Sequence, residues 1–185
     1  MDIRLSWDLF VLVFFGIVIA YSFIIGRNQT LKVIIACYMA ILAADGLGNI
    51  FKQYVFPAMP SLQGTEADTA LIFLKIFVFV LGIVLIAIKG GFYVDIMFER
   101  SLVTRLLATL SFGFLNAGLI VSTILVYISG ASFVTGSVNV VANTNLYQES
   151  QFVKLMIDNY NIWFALPAIA VVMISFFEPR QSPPA

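Results

Sequence analysis

Runs of about twenty apolar residues follow one another along this chain, broken only by short polar segments. A helix rises about 1.5 Å per residue, so about 20 such residues cross a hydrocarbon core of about 30 Å. Five segments qualify, at about 7–25, 31–51, 69–88, 106–129 and 161–177. They predict an all-α fold: a polytopic integral membrane helical bundle of about five transmembrane helices, forming a single membrane domain over 1–185. Composition agrees. Hydrophobic residues make up 61% and charged residues 11%, against roughly a quarter charged in a soluble domain.

The polar breaks suit aqueous connections. Gly26-Arg27-Asn28-Gln29 forms a tight polar turn between the first two spans. Pro57, Pro60, Gly64, Glu66 and Asp68 form a loop before the third. Lys89-Gly90-Gly91 ends the third span, and 92–100 mixes aromatics with charges as an interfacial piece would. The stretch 130–160 is polar, its part 131–142 being too short and too polar to span, and 178–185 reads as a disordered, proline-rich tail. The first apolar run outlasts a typical signal-peptide core, and Arg4 stands between Asp2 and Asp8, so a retained first span is expected, with cleavage near the small residues Ala20 and Ser22 as the alternative.

Lys and Arg are retained on the cytoplasmic side. Five spans place Arg27, Lys32, Lys89, Arg100, Arg105 and Arg180 on one face and Arg4, Lys52 and Lys154 on the other. Six against three predicts a multi-pass protein of the cell membrane with its N-terminus outside and its C-terminus cytoplasmic.

Several function classes lack their residues. The chain has no histidine, hence no Ser-His arrangement and no H-E-x-x-H site, and no metal is expected. Asp45-Gly46 has no second aspartate for a catalytic dyad, and Gly90-Gly91 has no following lysine motif to cradle phosphates. No catalytic residue and no cofactor are expected, so the chain reads as a non-enzyme. Ten Lys and Arg balance ten Asp and Glu, which gives no basic excess for nucleic acid. The single cysteine, Cys37, sits in an apolar run and forms no internal disulfide. Asn28-Gln29-Thr30 matches a glycosylation acceptor but falls in a tight turn on the expected cytoplasmic face.

Two groups of residues invite a role. Ala36, Ala40, Ala44 and Gly48 recur every four residues on one stripe of the second span, where small side chains let another backbone approach closely. Gly113 with Ala117 and Gly118 with Ser122 repeat the pattern in the fourth span, and Gly16 with Ala20 echoes it in the first. Such stripes serve packing within the chain, self-association as a homo-oligomer, or docking of another membrane subunit. Asp45 and Lys75 are the charges set within apolar runs, each costing about 2.5–3.5 kcal/mol near a span's centre. Asp45 lies about six residues before the end of the second span and Lys75 six after the start of the third, so antiparallel neighbours hold them at one depth. They form a buried pair, or Asp45 binds a proton or cation with help from Asn49 and Asn116, while Lys75 snorkels to the interface.

The order of features resembles the colicin V production protein family of small bacterial inner-membrane proteins. Trp7-Asp8-Leu9-Phe10 opens an apolar run that ends at Gly26-Arg27, where that family has a Gly-rich, Arg-bearing turn. Arg105-Leu106-Leu107, then Phe112-Gly113-Phe114-Leu115-Asn116-Ala117-Gly118, are similar to its basic residue and Gly-containing fourth span. Leu146-Tyr147-Gln148-Glu149-Ser150-Gln151-Phe152 is similar to an aromatic and serine segment that follows. The likeness covers 7–155 and departs in the fifth apolar span and in the weaker charge of the first turn. It implies a non-enzymatic accessory or scaffold role in envelope homeostasis or export of a secreted product, with no catalytic residues to carry over. The size and Ala-x-x-x-Ala face also resemble the substrate-binding subunits of energy-coupling-factor vitamin transporters, which usually have six spans. A solute-binding or ion-conducting transporter subunit is therefore the alternative.

Overall fold

The computed structural model describes residues 7–59, 64–90, 102–133 and 150–177. The expected interfacial piece at 92–100, most of the polar stretch 130–160 and the tail at 178–185 lie outside the described residues. So do Arg4, Pro60, Arg100 and Arg180.

Six α-helices and no strand occur among the described residues: α1 (Trp7–Ile25), α2 (Arg27–Ile50), α3 (Thr65–Lys89), α4 (Leu102–Ile128), α5 (Gln151–Asp158) and α6 (Tyr160–Phe177). Four segments are each long and apolar enough to cross a membrane, and α5 with α6 makes a fifth if the bent pair counts as one crossing. The fold is thus an all-α helical bundle of membrane-spanning character.

Helix ends differ from the apolar runs for physical reasons. The polar residues after Gly26 form the first turn of α2 rather than a loop. Gly26 makes the break alone because its φ of 79° lies in the left-handed region, open to a residue without a Cβ. Its carbonyl then accepts hydrogen bonds from the Thr30 amide (3.0 Å) and the Thr30 hydroxyl (2.9 Å), which satisfies a fully buried side chain. At its other end α2 continues as a π-helical turn, Phe51–Val55, and a 3-10 turn, Phe56–Ala58, so Pro57 belongs to the helix end rather than to the loop. α3 starts before 69 because Glu66 and Asp68 favour the positive end of a helix.

Burial separates a centre from a rim. In the most apolar stretch of each helix, 67% of α4 and 50% of α2 is buried, against 17% of α1 and 11% of α3. α2 and α4 are therefore the core, while α1 and α3 turn apolar residues such as Ile17, Ile24, Phe73 and Ile88 outward. The stripe Ala36, Ala40, Ala44 and Gly48 is buried and faces α3, where a Cβ on Gly82 would stand 2.9 Å from that of Ala40. Gly113 takes Ser22 of α1, and Gly118 takes the indole of Trp163 from α6. Ala117 and Ser122 are buried in the same helix. Packing in lipid depends on such close approach. Gly16 and Ala20, in contrast, face outward, with open space where a Gly16 Cβ would stand.

A 63° bend separates α5 from α6. Ser150 caps α5 by accepting from the Val153 amide at 3.1 Å, and the same hydroxyl donates to Asp8 near the start of α1. The Phe152 amide donates to that carboxylate at 3.2 Å. A negative charge at a helix N-terminus is favourable. Val153, Met156 and Ile157 then bury against Val11, Val121 and Leu125, which seats α5 between α1 and α4.

Candidate functional site

α2 and α3 bring Asp45 and Lys75 together, with Lys75 Nζ 2.8 Å from Asp45 Oδ1. Lys75 lies ten residues into α3, about 15 Å along its axis and two turns past Asp68. Its side chain is 6% exposed and that of Asp45 is 0% exposed. Two lone charges at that depth would each be expensive, and pairing offsets the cost only when the remaining polar capacity is also satisfied.

Part of that capacity is met by α4 and the turn that follows it. Gly130, with φ 77°, closes α4, and the Ala131 amide reaches back to the Val126 carbonyl at 3.1 Å. The chain thereby folds over the helix end, and the Phe133 amide donates to Asp45 Oδ2 at 2.9 Å. The Tyr127 ring lies 5.5 Å from Lys75 Nζ, within cation–π range, and its hydroxyl donates to the Ile41 carbonyl at 3.3 Å. Phe79 and Phe133 meet the Tyr127 ring edge-on, and Phe133 stacks on Phe164 at 5.0 Å. Gly48 completes the enclosure, since a Cβ there would stand 2.7 Å from Lys75 Cε and 3.0 Å from its Cγ. The lysine stem lies in the notch where Gly48 has no side chain.

Asn49 is half-buried one turn beyond Asp45 on α2. Asn116 stands apart from this arrangement. Asn116 is buried and accepts from Cys37 Sγ at 3.8 Å. Cys37 precedes Asp45 by two turns of α2, about 12 Å along the axis, so Asn116 belongs to another layer.

A cavity of about 330 Å³ reaches the pair from the end of the bundle that holds the α2–α3 connection. Lys52, Asp68, Leu71, Ile72, Lys75 and Tyr127 line it together with the turn from Ile128 to Ala131. A second cavity, about 460 Å³, adjoins it through Lys52, Asp68 and Leu71. Small-molecule sites fall in the range of about 300–1,000 Å³ and place a few polar groups in an apolar lining. Among the described residues no group of three His, Cys, Asp or Glu side chains could hold a metal ion.

Sequence reasoning did not find Tyr127, the Phe133 amide, Lys52 or Asp68 as parts of one site. Gly130 was the available signal, because a glycine just past an apolar helix marks a chain that turns back over the helix end. No family model, curated protein or solved structure matches the chain. The resemblance to the colicin V production family accordingly rests on the motifs quoted above.

Proposed function

We propose that this is a non-enzymatic, multi-pass cell-membrane subunit that binds a small polar solute in the cavity between α3, the π-helical turn after α2 and the end of α4. The observation that supports this most is the cavity itself, which joins the exposed Lys52 to the nearly enclosed Lys75. The small-residue stripe of α2 is occupied by α3 of the same chain, so it offers no free face to a scaffold partner. Both carboxylate oxygens of Asp45 are engaged, which favours a fixed floor to the cavity over a site that carries ions. The charge asymmetry of the loops supports an orientation with the cavity mouth outside the cell and the C-terminus in the cytoplasm. Energy for any transport step would come from a partner subunit.

Solute binding to the folded state raises thermal stability. Purified protein screened against small polar solutes is expected to gain unfolding temperature with at least one, and Lys52→Gln is expected to reduce that gain. A flat response across acids, amines and zwitterions would contradict the reading. A second reading, an accessory role like that of the colicin V production family, draws on the outward-facing Gly16 and Ala20, which leave α1 a face for another helix. Crosslinking from Gly16→Cys tests it, a captured neighbour being the expected result and monomer alone the contrary one.

A further inference from the structure

We propose that the ligand of the cavity is a small zwitterion carrying one carboxylate and one ammonium group, an inference that rests on the solute-binding reading above. The charges of the site point to this class. Its lining holds two ammonium groups, Lys52 and Lys75, and one carboxylate, Asp68, and Asp45 stands directly behind Lys75. The four sum to zero. A ligand with net charge would bring an unbalanced charge into a partly dehydrated space, whereas a zwitterion finds a partner for each end.

The charges are also separated in depth. A lysine ammonium has three N–H donors. Lys75 directs its ion pair at Asp45 Oδ1, and it also lines the cavity, where a ligand carboxylate can accept from it. Asp68 lies seven residues nearer the start of α3, two turns or about 10 Å, and so shares the face of Lys75. The end of α4 and the turn around Gly130 form another wall, beside Lys75. The floor therefore offers the N–H donors of a neutralised Lys75, and the rim offers the carboxylate of Asp68 beside Lys52. A zwitterion fits with its carboxylate down at Lys75 and its ammonium up at Asp68, beneath the exposed Lys52.

The test uses the full chain in lipid nanodiscs with Cys37→Ser and a reporter Ile72→Cys, which lies on the cavity wall between the two charges. A charged, membrane-impermeant methanethiosulfonate is reacted with the cysteine in the presence of γ-aminobutyrate, butyrate or butylamine, three compounds of one chain length. The zwitterion is expected to slow labelling about tenfold at a concentration where the singly charged compounds have little effect, the worth of one charge-assisted hydrogen bond. Asp68→Asn is expected to remove that advantage. Equal slowing by butyrate, or no slowing by any of the three, would overturn the zwitterion while leaving a solute site in place. If Ile72→Cys folds poorly, Leu71→Cys lines the same cavity. Failure of both cysteines to react, with Tyr54→Cys reacting normally, would mean that no aqueous path exists and would remove the solute-binding reading as well.

Discussion

Removing either member of the Asp45–Lys75 pair leaves the other charge enclosed inside the bundle, where a broken buried pair costs about 3–5 kcal/mol. Asp45→Asn and Lys75→Met are each expected to destabilise the protein by that order, and the double variant to recover a large part of it. Unfolding in mixed micelles measures this cycle. Additive losses would show that the two residues do not depend on each other. Gly82→Ala is expected to cost about 1–3 kcal/mol by overpacking, since its new methyl would meet Ala40 backbone and side chain at 3.3 and 2.9 Å. Gly46→Ala, with nothing within 4 Å, serves as the neutral comparison in the same unfolding experiment. The pair was legible in the sequence because both charges stand equally far from one polar connection. The notch was not. Gly48 read as one more small residue in a stripe, and only the packing of α3 shows that it accommodates a lysine stem.

At the scale of elements, apolar length predicted the helices, and their ends were set by groups that length cannot report. Gly26 and the hydroxyl of Thr30 let α2 begin four residues before its apolar run. The junction of α1 with α5 is the clearest case of a contact hidden from sequence. In the sequence Asp8 only flanks Arg4, yet it accepts from Ser150 and from the Phe152 amide across most of the chain's length. Asp8→Asn is expected to loosen α5 by about 1 kcal/mol, as a lost charge at a helix N-terminus does. Faster amide exchange in Gln151–Asp158, with α2 and α4 unchanged, is the signature; uniform exchange would count against it. Gly118→Ala tests the seat of α6, because the added methyl would run into the Trp163 indole. In a Trp7→Phe background, brominated lipid is expected to quench the displaced indole more strongly than in the parent.

For the whole molecule, the fold class was readable from hydropathy alone, because lipid admits few solutions for a chain with this many apolar runs. The site was readable only in part. Its ion pair lies within two helices that adjoin in sequence, while Phe133 and Tyr127 arrive from the far end of α4 and the turn beyond it. The count of crossings governs how the cavity meets the cell. With α5 and α6 forming one broken crossing, five crossings put the cavity mouth on the face opposite the C-terminus. The direct measurement is the location of both termini, using paired reporters active only in the cytoplasm or only outside it. The N-terminus is expected outside and the C-terminus in the cytoplasm. Both termini on one side would contradict it, since an even number of crossings would make α5 and α6 a re-entrant hairpin or add a crossing, and the five-crossing bundle would no longer stand.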